Sequence, residues 1–202
     1  MHRYDPALGH GLRHDPFNAI VGPRPIGWIS SLDADGVRNL APYSFFNAFN
    51  YTPPILGFAS VGYKDSARNV ASTGTFVWNL ATRPLARAMN ASSAGVAPEV
   101  DEFALAGLTA APSRKIDAPR VAESPVAFEC VVTQQVRLQT KGATPTSSWM
   151  TFGEVVFVHI ARSLIVDGRY DLAGSRTILR AGRGGDYIEV RPEAFFEMPR
   201  PA

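Results

Sequence analysis

RPIGWISSLDADGVRNLAPYSFFNAFNYTPPILGFASVGYKDS, residues 24 to 66, sets three extended runs and a polar, aromatic-rich connection in one short stretch. Ile26 to Leu32 reads as a strand, and Val37 to Ala41 as its return. The Asp33-Ala34-Asp35-Gly36 connection between them ends in an Asp-Gly pair, which marks a hairpin and an antiparallel start. Pro42 and the Pro53-Pro54 pair then deny the next stretch a full hydrogen-bond ladder. Residues 42 to 52 are therefore expected to be irregular or bulged, and Ile55 to Ser60 to resume as strand. Charge is sparse here, hydroxyls and amides are many, and Tyr43, Phe45, Phe46, Phe49 and Tyr51 cluster. That mixture suits a flat, polar-edged molecule carrying a phosphate, set against the ordinary reading of such aromatics as core.

Working outward, residues 1 to 23 carry His, Pro, Gly and Asp without period and read as an arm before the first strand. Downstream, Lys64 to Ser72 reads as one or two helical turns closed by Gly74. Thr75 to Leu80 is a compact apolar strand, and Arg83 to Ala94 is rich in helix formers with Pro84 in its first turn. Residues 95 to 125, with an acidic knot at Glu99, Asp101 and Glu102, read as a surface excursion of the kind that covers a site. Val126 to Gln139 and Thr151 to Ile160 are β-rich and expected to pair across the loop KGATPTSS. A mixed segment over 171 to 185 and a short strand at Tyr187 to Val190 precede a Pro-rich tail at 192 to 202. Antiparallel hairpins dominate and alternating βαβ units are missing. The fold class is mainly β with short helices, a closed or partly closed barrel, in a single domain over 24 to 191.

At 202 residues with 46% apolar and 19% charged, the chain can bury one core. So few charges beside so many aromatics favour an oligomer or a large ligand face. A formal net charge of +2, with no basic run, gives no electrostatic case for nucleic acid. The start has no apolar signal core and no stretch approaches the roughly 20 apolar residues of a membrane helix, so no membrane role and a cytoplasmic location are expected. The single cysteine, Cys130, sits in the apolar run VAFECVV and reads as a buried filler.

Candidate chemistry falls in four places. Lys64-Asp65-Ser66 follows a strand and opens a helix, offering an ammonium, a hydroxyl and unpaired amides to a phosphate; a plain capped turn, with Asp65 as the cap, reads the same residues equally simply. Ser30, Ser31, Asn39 and Ser44 lie on or beside two adjacent strands, where small polar groups can read the edges of a heterocycle. His159 is the one histidine outside the N-terminal arm; either it is a satisfied strand residue or it works near the ligand. Arg176, Arg180 and Arg183 are spaced by four and three, as on one helical face that meets either phosphate or solvent. His10 and His14 stand four apart, but they fall in the N-terminal arm with no further ligand cluster beside them, and no metal site is expected.

These residues resemble the flavin reductase-like family with the FMN-binding split-barrel fold, which includes flavoredoxin-type proteins. The resemblance is carried by 24 to 59, by KDSARNVASTGTFVWNL at 64 to 80, and by GEVVFVHI at 153 to 160. It implies a homodimeric, Greek-key split β-barrel with FMN, or FAD, near the subunit interface. Asn39, Ala41, Tyr43, Ser44 and Phe45 would line the isoalloxazine; Ser60, Lys64 and Ser66 would hold ribityl or phosphate groups, and Pro42, Asn47 and Asp65 would be further cofactor-binding residues. Trp28, Ser30 and Ser31 would lie beside them, and His159 would approach the ring as a catalytic candidate. The implied activity is NAD(P)H-dependent flavin reduction, feeding a flavin-dependent monooxygenase or another acceptor; the alternative is a non-enzymatic FMN electron carrier.

Overall fold

A computed structural model describes residues 1–182 and 184–201. After an exposed arm with a 3-10 turn at Pro6–Leu8 and one α-helical turn, α1 (Phe17–Ile20), the chain forms β1 (Gly27–Leu32), β2 (Arg38–Tyr43), β3 (Phe46–Asn50) and β4 (Ile55–Val61). Helix α2 (Asp65–Thr73), β5 (Thr75–Asn79), α3 (Ala86–Ala91) and α4 (Glu102–Leu105) follow. Two short pairs, β6 (Ala110–Ala111) with β7 (Arg120–Val121) and β10 (Ile165–Val166) with β11 (Arg169–Tyr170), flank the long β8 (Val126–Gln139) and β9 (Pro145–Ile160). The ribbon β12 (Ile178–Arg180) and β13 (Tyr187–Glu189) comes last. No helix of the described residues is long and apolar enough to cross a membrane.

Seven strands form one antiparallel sheet in the order β2-β1-β5-β8-β9-β4-β3. Its two edge strands, β2 and β3, are consecutive in the chain, with only Ser44 and Phe45 between them. In a flat sheet those edges would stand about 29 Å apart, whereas the connection reaches about 11 Å at full stretch. The sheet therefore curls on itself, and Tyr43 meets Phe58 of β4 at 4.9 Å between ring centroids. Proline is tolerated because Pro42 lies on an edge strand and the second edge is bulged between Ala48 and Asn50. Residues 42 to 50 thus avoid the sheet centre, as the prolines require, and carry the bulge in the edge strand β3.

Alternation along β1 separates two cores. Ile29 points into the barrel with Phe46, Leu56, Phe58, Val70, Phe76 and Cys130. Trp28 points outward, under Leu40, Met89, Phe103, Val121 and Ile178. The barrel interior tightens at Gly153, where the buried Phe76 ring occupies the space a side chain would need. Cys130 is fully buried, and burial pushes its thiol up, so it is an inert filler.

Three expectations need correction. The 95 to 125 stretch is a surface segment beside the cleft, but it is more than an excursion: Phe103, Ala118 and Val121 are buried, and the segment roofs the outer face of β1 and β2. Its acidic knot is tied down, with Asp101 capping α4 and pairing with Arg38 at 2.6 Å. Arg176 and Arg180 share no helical face, because 171 to 177 form turns in which Asp171 and Ser175 bond their own backbone, and Arg176 adopts φ +53°. Arg183 lies outside the described residues. The 83 to 94 helix is confined to Ala86–Ala91, after a turn at Thr82 to Leu85.

Candidate functional site

β2 presents Asn39, Ala41 and Tyr43 on one face by its two-residue period, and α2 begins opposite them. Lys64, Asp65 and Ser66 stand at that helix start, and residues 92 to 98 with Glu102 close the far side. The enclosed cleft measures about 400 Å³, within the roughly 300–1,000 Å³ range of small-molecule sites.

Asn39 is fixed by a full set of partners. Its Oδ1 accepts from Ser66 Oγ at 2.7 Å and, at longer range, from Ser31 Oγ, while Nδ2 donates to Glu102 Oε1 at 3.1 Å. The other oxygen of Glu102 accepts from the Leu40 backbone N–H at 3.0 Å, filling the open edge of β2. Burial pushes the Glu102 carboxyl up, against the lowering effect of those donors. Tyr43 is likewise raised by burial, tempered by the nearby hydroxyls of Ser66 and Ser60, so it is a neutral phenol in the cleft wall.

Helix α2 is open at its start. Lys64 is the N-cap and makes no side-chain cap bond, so the first backbone N–H groups point out beside the cleft. The capping role expected as an option for Asp65 is not taken up; its carboxylate pairs with Arg68 on the next turn. Among the described residues no carboxylate lies within ion-pair reach of Lys64. Positive potential from the helix dipole and a free ammonium thus meet at one end of the cleft.

The structure brings together Asn39, Ala41, Pro42, Tyr43, Lys64, Asp65 and Ser66. Ser31 and Ser60 lie one layer deeper, the first bonding Asn39 and the second donating to the Gly62 carbonyl at 2.8 Å. Trp28 is fully buried and donates through Nε1 to Ser92 Oγ, so it supports the wall from behind. Ser30 bonds the Pro119 carbonyl on the outer face. Ser44 and Phe45 sit at the strand connection under Arg24, whose Nε donates to the Ser44 carbonyl. Asn47 is exposed on β3 and bonds its neighbour Ala48.

His159 stands apart from this cleft. Its Nε2 is 2.6 Å from Oε1 of the fully buried Glu129, beneath the segment that carries Arg114 and Lys115. Burial raises the Glu129 carboxyl, but the bonds from His159 and the two backbone N–H groups outweigh it and hold it below its ordinary value. Strand alternation is the reason: His159 pairs with Ala127, on the face that Val77 and Ala118 also occupy. Sequence reasoning missed Ser92, Ser93 and Glu102. Glu102 was noticed as charge only, since nothing in its spacing ties it to Asn39.

A flavin reductase-like domain model matches residues 22–171. A protein of Halalkalibacterium halodurans is 34% identical over 184 residues, covering 87% of each chain. Nitrilotriacetate monooxygenase component B from Bacillus cereus superposes with a TM-score of 0.87 at 29% identity, over 98% of both chains. The 2-nitrobenzoate 2-nitroreductase of Pseudomonas fluorescens does so at 0.85 and 27% identity, over 100% of this chain and 99% of the other. The chain belongs to the flavin reductase-like family, and its curled antiparallel sheet is the family's split barrel.

Proposed function

We propose that this protein is an NAD(P)H-dependent flavin reductase that holds FMN in the Asn39–Ser66 cleft. The observation that carries the reading is the open start of α2 with an unpaired Lys64, set beside the fixed polar row of β2. The donors fit the group. Lys64 and the first amides of α2 would take the phosphate, while Ser66, whose hydroxyl proton goes to Asn39, would stand beside them. Asn39 would meet the polar edge of the ring, with Ala41 leaving room for close approach and Tyr43 forming a neutral wall. When bound, the flavin supplies the capacity to accept hydride and pass electrons onward. The chain's own work is to hold the ring rigidly and shield one face, and Asn39, locked by Ser31, Ser66 and Glu102, is suited to that.

The relative named as a monooxygenase component supports a flavin-dependent monooxygenase as the acceptor. A homodimer also belongs to this reading. Val131, Val136, Val156, Val158 and Ile160 expose apolar surface along the long β8–β9 hairpin, which a second copy would cover.

Protein purified without added flavin is scanned in the visible range, then mixed anaerobically with NADH or NADPH. Rapid bleaching of a flavin band is the expected result. Flavin reduced by dithionite but by neither nicotinamide would point to an electron carrier instead. No flavin band, and no uptake of added FMN, would overturn the reading.

A further inference from the structure

The cleft does not end at Tyr43. Pro42, Tyr43 and Ser93 also line a narrow passage toward Arg180 and Tyr187, and Tyr187 in turn lines a larger groove with Arg83 and Arg191. Pro42, Tyr43 and Ser93 are shared by the cleft and the passage, and Tyr187 by the passage and the groove, so the three depressions follow one another in that order. The distal groove measures about 470 Å³.

The distal groove has the chemistry of a nucleotide phosphate site. The Arg180 guanidinium lies over the Tyr187 ring at 4.8 Å, leaving a half-exposed aromatic edge and a cation together. Among the described residues no carboxylate pairs with Arg83 or Arg180. The one acid in the groove, Glu189, is already engaged by Arg176 at 2.8 Å and Arg191 at 3.1 Å, which hold its carboxyl low. The remaining field is positive, and arginine forks match phosphate oxygens.

We infer that this distal groove binds the adenosine-phosphate half of the nicotinamide dinucleotide. The order of the subsites selects that donor, and the selection rests on the function proposed above. With the flavin phosphate at Lys64, the ring end lies toward Tyr43, and the arginine groove continues from the ring end. An adenylate attached to the flavin phosphate would leave from the opposite end. A nicotinamide stacked on the ring would instead carry its own phosphates into the groove.

The test is calorimetric titration of ADP and 2′,5′-ADP into the FMN-loaded protein and into Arg83→Gln. Both ligands are expected to bind the native protein, and the variant to lose about tenfold in affinity, the value of one good charge-assisted contact. In turnover the same variant raises KM for NAD(P)H with kcat and the FMN Kd unchanged. Equal ADP binding by the two proteins, or none by either while FMN is retained, overturns the inference and leaves the proposed function standing. Weakened FAD binding in Arg83→Gln with an unchanged KM for NAD(P)H would assign the groove to the flavin's adenylate and also overturn it. Loss of FMN binding in the native protein is read separately, from its spectrum.

Discussion

Replacing Lys64 with Ala removes one cation from a position where the structure gives it no protein partner. The side chain is exposed and forms no ion pair among the described residues. Folding stability should therefore stay within about 0.5 kcal/mol of the native value. A hydrogen bond to a charged group contributes about 1.5–3 kcal/mol. Solvent access places Lys64 at the lower end, so the FMN Kd should rise about tenfold, or about 1.4 kcal/mol. The open amides at the start of α2 remain in the variant, and they are the reason the loss is no larger. Fluorescence-quenching titrations with FMN and with riboflavin, which lacks the phosphate, separate the possibilities. Riboflavin should bind both proteins alike, and the FMN difference should shrink as salt is raised. Equal losses for both ligands would mean that Lys64 acts on the ring or on the fold. No loss for either would place the phosphate elsewhere, and both results refute the reasoning.

A Cβ at Gly153 would lie 2.5 Å from a ring carbon of the fully buried Phe76 and 3.1 Å from Cys130 Cβ. Gly153→Ala should lower unfolding free energy by about 2–3 kcal/mol in urea melts. At Gly57 the obstacles are the end of Met150, the exposed Phe49 ring and the half-buried Phe152 ring packed on it, which are freer to shift than the buried Phe76, so Gly57→Ala should cost less than Gly153→Ala, about 1–2 kcal/mol. Glu129 is held low in the fold, so it contributes stability at pH values above the ordinary carboxylate value of about 4.3 and loses it as pH falls through its depressed one. The gap in unfolding free energy between native protein and Glu129→Gln should accordingly close on acidification, and a gap that widens would reverse the sign assigned to that group.

What the residues revealed in advance follows the range of the interactions involved. The β1–β2 hairpin was legible because Asp33 does its work locally: its carboxylate accepts from the Asp35 and Val37 amides, and Gly36 takes φ +86°. The α2 segment was legible for the same reason, with Gly74 in the left-handed conformation closing it. The barrel was legible through the run of antiparallel hairpins without βαβ units, which leaves a curled sheet as the way to close the core. The role of Glu102 was not, because its partners are 62 and 63 residues away and no local pattern encodes that contact. The surroundings of His159 were hidden for a related reason. Being the lone histidine on a strand made it a candidate, but which face it occupied depended on the pairing of β8 with β9, including three irregularities in register.

Glu102 also shows how the 95 to 125 segment earns its place beside the cleft. An edge strand leaves backbone donors open, and β2 carries the site's polar row, so the Leu40 N–H and the Asn39 amide need a shared acceptor. The carboxylate provides both bonds from a short helix that Asp101 caps and Phe103 anchors in the outer core. Glu102→Ala should leave two buried donors without partners, at about 2–3 kcal/mol in stability after water enters from the cleft. Glu102→Gln is not neutral either. It keeps an acceptor for Leu40 but sets an amide NH₂ against Asn39 Nδ2, and turning Asn39 over would break the bond from Ser66. Because burial raises the Glu102 carboxyl, the sign of its pH dependence is opposite to that of Glu129. Its stabilising contribution is full below about pH 4.3 and declines as pH rises through the raised value. Amide hydrogen exchange reads the anchor directly: the Leu40 N–H should exchange faster in Glu102→Ala and stay near native in Glu102→Gln. FMN affinity should fall in both variants through the freed Asn39. Unchanged Leu40 exchange in Glu102→Ala would show that the strand edge is protected by the fold of β1 and β2 alone, with the carboxylate acting on Asn39 only.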